Sequence, residues 1–78
     1  MFKRAAARAR HFRLVTVAKD LVREACLSKA KTTRDVTPEQ VIALAFIRHQ
    51  LTIETDEARR YLDGALVSLG FPLQQPTA

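Results

Sequence analysis

The chain has 78 residues, 47% of them hydrophobic, with one cysteine and a formal net charge of +5. At that length it is one domain, and folding buries only about 60% of the surface that the unfolded chain exposes, so stability alone is marginal and an obligate partner would relieve it. Cys26 on its own excludes an internal disulfide and a cysteine metal cluster, two glycines and three prolines leave little room for turn-rich β architecture, and no apolar run approaches the roughly 20 residues of a membrane-spanning helix.

The charge is concentrated at one end. Residues 1–19 hold Lys3, Arg4, Arg8, Arg10, Arg13 and Lys19 with no acid, which is +6, while the other 59 residues hold seven bases and eight acids, which is −1. The first helix is predicted to run from this Ala/Arg-rich start to about Lys29. From Leu14 onward Leu14, Val15, Val17, Ala18, Leu21, Val22, Ala25 and Cys26 fall on one broad face, and Arg13, Thr16, Lys19, Asp20, Arg23 and Glu24 on the other. Cys26 is therefore expected in the core, as a small hydrophobe. Traced backwards, the apolar stripe meets Arg4, Arg8, Arg10 and His11, so it stops at Leu14 and residues 1–13 are expected to project as a basic arm.

Three readings of that arm stay open. Alanine-spaced arginines without acids look like a mitochondrial targeting segment, although serine is missing. The same residues could grip nucleic-acid phosphates through counterion release, which needs no sequence code. They could also be no more than a solvated basic helix end.

Residues 29–35 are polar and aperiodic and form a connection. The central helix then opens on several start signals at once: Val36 just outside, Thr37 as N-cap, Pro38 at the first helical position, Gln40 to complete a capping box, and Val36 with Val41 as a hydrophobic staple. Residues 41–47 are all apolar. Seven successive helical residues cover every direction, so this helix is expected to be enclosed by neighbours on all sides. After a short link, Thr55 is expected to cap a third helix whose first turn carries Asp56 and Glu57, the charge sign that end of a helix favours. Its apolar stripe is Ala58, Tyr61, Leu62, Ala65, Leu66 and Leu69, and Gly70 ends it as a left-handed cap. Residues 71–78 form a tail, loose or docked on a partner.

These elements predict an all-α fold, an antiparallel three-helix bundle over residues 14–70 with a basic N-terminal helical extension; the alternative topology is a helix-turn-helix. Catalytic signals are missing. His11 and His49 have no Cys or Asp at metal spacing, Ser28 and Ser68 have no activating context, and Gly64 and Gly70 make no phosphate loop. The expectation is a protein without enzymatic activity, metal or cofactor of its own.

The order of these features resembles the LYR-motif proteins of mitochondria, small basic three-helix accessory subunits and assembly factors. Val17-Ala18-Lys19 would stand where that family has Leu-Tyr-Arg, Val22-Arg23-Glu24 at its following basic step, Phe46 at its Phe, Leu51-Thr52 at its turn, Asp56-Glu57 at its acids, and Leu62, Ala65 and Leu69 in its last stripe. Neither Leu nor Tyr of the tripeptide is present, and lysine replaces its arginine. The resemblance implies an accessory or adaptor subunit of a larger mitochondrial assembly, such as a respiratory-chain complex, ATP synthase or mitoribosome, in the matrix or on the matrix side of the inner membrane. It also implies an acyl carrier protein as partner: Lys19 and Arg23 would face its acidic surface, Phe46 would line a channel for its acyl-phosphopantetheine, and Arg48 would join the partner-binding set. A second resemblance, of Phe12-Arg13-Leu14-Val15 and Val41-Ile42-Ala43-Leu44, is to the small omega subunit of RNA polymerase. The alternative function is a small basic helix-turn-helix protein, cytoplasmic, that binds nucleic acid through Arg59, Arg60 and the arm.

Overall fold

A computed structural model of the chain describes residues 2–28 and 35–71, with side chains from residue 6 onward. Helix α1 spans Phe2–Leu27, α2 Pro38–His49 and α3 Thr55–Ser68, and the described residues hold no strand. Each helix packs on both others. Direction follows from the side-chain pairs: Arg10 of α1 meets Glu57 at the start of α3, so these two helices run the same way, and Asp20, further along α1, meets Arg48 at the end of α2, which runs against them. The all-α, antiparallel three-helix bundle is the fold.

At 1.5 Å per residue the 26 residues of α1 span about 39 Å, against about 18 Å for α2 and about 21 Å for α3. The longest dimension of the molecule, 42 Å, is therefore the length of α1. Its buried stripe begins at Leu14 and continues through Val17, Ala18, Val22 and Ala25, steps of three and four that keep one side inward. Before it, Ala6, Ala7, Arg8 and Ala9 are exposed. Val36, Val41, Ala45 and Ile53 from the middle of the chain and Ala58, Leu62, Ala65 and Leu66 from α3 complete the core. Among the described side chains no aromatic ring is fully buried, and Leu14, Leu62 and Leu66 are the largest enclosed ones.

The start of α2 is built as its sequence dictates. Thr37 has an extended backbone, its Oγ1 accepts from Gln40 N–H at 3.4 Å, and Gln40 Oε1 accepts from Thr37 N–H at 3.1 Å. Val36 and Val41 of the staple are both buried. At the other end Gln50 adopts the left-handed conformation (φ 55°, ψ 31°), with its N–H bonded to Phe46 C=O at 2.8 Å. Helix α3 ends in a Schellman arrangement: Phe71 N–H bonds Leu66 C=O at 2.8 Å, Gly70 N–H bonds Val67 C=O at 3.1 Å, and Gly70 has φ 83°.

Three expectations are corrected. Helix α2 is not enclosed on all sides: Val41 and Ala45 face inward, but Phe46 is 58% and Ile47 75% exposed, and Ala43 lies outside with them. With two neighbours only, α2 has cover on one side, and an all-apolar run carries no polar residue to say which side that is. Cys26 is exposed, not in the core. Ala25 takes the last inward position of the stripe, and the next residue turns about 100° away at the final turn of α1. Thr55 is the first helical residue of α3, and the N-cap is Glu54, which makes no side-chain cap hydrogen bond. Ile53, 5% exposed, is drawn into the core by the extended link, and the helix begins directly behind it. Most of the connection, residues 29–34, and most of the tail, residues 72–78, lie outside the described residues.

Candidate functional site

The four residues expected to meet a partner do not form one site. Arg48 Nη1 donates to Asp20 Oδ2 at 2.7 Å, and Arg23 Nη1 lies 3.8 Å from Asp20 Oδ1, so these two bases share a carboxylate on the α1/α2 side. Lys19, the residue next to Asp20, is half-buried and lines a groove between α1 and α3 instead. Phe46 sits on the open flank of α2 beside Ile47. An interior channel lined by Phe46 is not the arrangement seen; its ring faces outward.

The basic arm is likewise divided. Arg8 and Arg13 are exposed, as is Phe12, at 71%. The side chains of Lys3 and Arg4 lie outside the described residues. Arg10 is committed: its Nη1 and Nη2 donate to Glu57 Oε2 and Oε1, both at 2.8 Å, a two-pronged pair across 47 residues of sequence. Planar guanidinium and carboxylate fit each other in this way, which makes the pair stronger and better oriented than a single contact. The hydrogen bond from Arg10 holds the Glu57 carboxyl below its usual range, and the Arg10 guanidinium rises in return. At the next residue of α1, and one turn further along α3, His11 Nδ1 and the Tyr61 hydroxyl share a hydrogen bond at 2.9 Å, with ring centroids 5.4 Å apart. The last turns of the basic segment are thus fastened to α3.

The groove lies immediately beyond these pairs and has a volume of about 440 Å³. Helix α1 contributes His11, Val15 and Lys19, spaced by four so that they share one edge. From α3, Arg60 and Tyr61 stand near the mouth, and Gly64, Ala65 and Ser68 give a wall of small residues. Beyond Gly64 the space is open: a Cβ added there would meet nothing within 4 Å. Glu57, the only carboxylate of the lining, is already neutralised by Arg10. Lys19 and Arg60 have no ion-pair partner among the described residues, so the groove carries uncompensated positive charge.

The roles of Glu57 and Tyr61 here had no local signal in the sequence. Their partners stand about fifty positions away, and only the parallel placement of α1 and α3 joins them. Among the described residues no three His, Cys, Asp or Glu side chains are grouped to hold a metal ion, and no helix is long and apolar enough to cross a membrane. Comparison of the chain with family models, with curated proteins and with solved structures gives no match.

Proposed function

We propose that the protein is a small non-catalytic adaptor subunit of a larger protein assembly, and that this assembly is mitochondrial. The observation that supports the first part is the outer flank of α2, where two large apolar side chains, Phe46 and Ile47, face solvent on a helix whose inward positions are filled by Val41 and Ala45. Exposed single hydrophobics are ordinary, but adjacent aromatic and aliphatic residues in a chain this short are what a protein interface uses as its centre. The thin core points the same way, since a partner covering α2 would add the apolar burial that the chain alone lacks. The mitochondrial part rests on the acid-free basic segment, with Arg8 and Arg13 exposed, and on the LYR-like order of features. In this reading Lys19 and Arg23 meet an acidic partner surface such as that of an acyl carrier protein.

The test is native copurification of the tagged chain, with the wild type compared with a Phe46→Asp, Ile47→Asp double variant. The wild type is expected to bring down stoichiometric protein partners from mitochondria and the double variant to lose them while keeping its helical spectrum. A wild-type chain recovered only as a free, cooperatively folding monomer would overturn the reading.

The helix-turn-helix alternative draws on Arg60, exposed on α3, and on the arm. Against it, α3 opens with an exposed Asp56 at the end that would approach a groove. Binding to duplex DNA that weakens steeply with salt and is lost in an Arg59→Ala, Arg60→Ala variant would favour it over the adaptor.

A further inference from the structure

We infer that the groove between α1 and α3 is a binding site for a small organic acid with a compact aromatic body. This goes beyond the adaptor role and uses a face of the molecule that shares only Lys19 with it. The volume, about 440 Å³, lies in the range of small-ligand sites. The charge of the ligand follows from the bookkeeping of the lining. Its one carboxylate is bound by Arg10 and also feels the charge of Arg60, and neither Lys19 nor Arg60 forms an ion pair among the described residues, so the lining offers an anion a net positive charge. Arg60 offers the planar fork that suits a carboxylate; Lys19 offers a flexible point charge from the opposite wall.

The body of the ligand follows from the rest. Val15 and Ala65 give the groove apolar walls, and Gly64 leaves room where any other residue would fill it. The His11 and Tyr61 rings, hydrogen-bonded to each other and tilted by 52°, both line the groove and give an aromatic guest aromatic neighbours. Glycine in mid-helix is otherwise a poor choice, because it costs about 1 kcal/mol against alanine. A guest that lies against the backbone of α3 at this position gives it a use.

The experiment is a titration of the isotope-labelled full chain with 1-naphthoate, followed through backbone amide resonances, with inorganic phosphate and 2-naphthol as arms that carry only the charge or only the rings. The expected result is saturable shifts centred on Val15, Gly64 and Ser68, with a dissociation constant below about 1 mM, which a ligand of this size can reach. Phosphate and naphthol are expected to bind at least about tenfold more weakly than naphthoate. Lys19→Gln, at a half-buried position, should weaken naphthoate by about fivefold to tenfold, and Arg60→Gln, at an exposed one, by about threefold to fivefold. Gly64→Leu, which fills the open space and favours the helix, should abolish binding with the fold intact. Equal binding of phosphate or naphthol, unchanged affinity in Gly64→Leu, or shifts centred on Phe46 and Ile47 would each overturn the site.

Discussion

The two outward sides of this bundle are made differently. Where α1 and α3 run side by side, polar groups are matched in pairs, Arg10 with Glu57 and His11 with Tyr61, and the groove between the helices is lined by small side chains and by Lys19 and Arg60, which form no ion pair among the described residues. On the outer flank of α2 nothing is matched. Phe46 and Ile47 face solvent from a helix whose apolar residues outnumber the directions in which it has neighbours. Directional partners fix the first side within the chain itself, whereas non-directional apolar surface on the second is satisfied only by something that covers it.

The largest effect separates buried from exposed apolar residues. Leu62→Ala, at a position with 0% exposure, should lower the unfolding free energy by about 2–5 kcal/mol, which for a domain of this size is much of the total. Phe46→Ala in the free chain should change it by less than about 1 kcal/mol, although phenylalanine is the larger side chain. Urea unfolding of the two variants measures both. Comparable losses would mean that Phe46 is covered in the free chain, and the contrast between the two sides would fail.

What could be read in advance follows the same division. Amphipathic segments announce which way they face, so the stripe from Leu14 to Ala25 and the Ala58, Leu62, Ala65 and Leu66 stripe of α3 were legible, as were the capping box at Thr37 and the left-handed Gly70. In α2 the all-apolar run fixed the helix but not its orientation, and the expected full enclosure does not occur. Cys26 was misplaced by one helical step at the end of a stripe, where α1 runs out of neighbours. The groove was not legible at all. Lys19 and Arg60 are typical solvent-facing residues when taken locally, and their shared edge exists only once two helices far apart in sequence lie parallel.

A next, smaller effect acts on how α2 is set against the rest. Thr37→Ala removes one half of the capping box and should lower stability by about 1 kcal/mol. Because that change frees the entry of α2 only, the amide signals around Arg10 and Glu57 should hold while those of residues 37–41 shift. At the other end of α2, Gln50 holds a positive φ that glycine adopts without strain, so Gln50→Gly should raise stability by about 0.5–1 kcal/mol despite the added freedom of the unfolded chain. A loss of stability in Gln50→Gly would show that the glutamine side chain is needed there.

The smallest effect tests the matched side. The Arg10–Glu57 pair is about one-third exposed at each partner, with relative side-chain exposures of 38% and 34%, so its stabilisation is no more than about 1 kcal/mol, and added salt reduces it further. Its sign with pH is fixed by the direction of the shift. Glu57 titrates lower in the folded chain than in the unfolded one, so its contribution is complete above the ordinary glutamate range and is lost as pH falls through the lowered folded value. Melting curves of the wild type and Glu57→Gln should therefore differ most at neutral pH and converge in acid, once pH has fallen through the lowered folded value of Glu57. The Glu57→Gln variant should also free Arg10 to act as a third cation at the groove mouth, so the same variant that loses stability at neutral pH should bind organic acids more tightly. If the two curves instead run parallel at all pH values, the carboxylate is not held by Arg10 in solution, and the groove carries one positive charge fewer than its geometry implies.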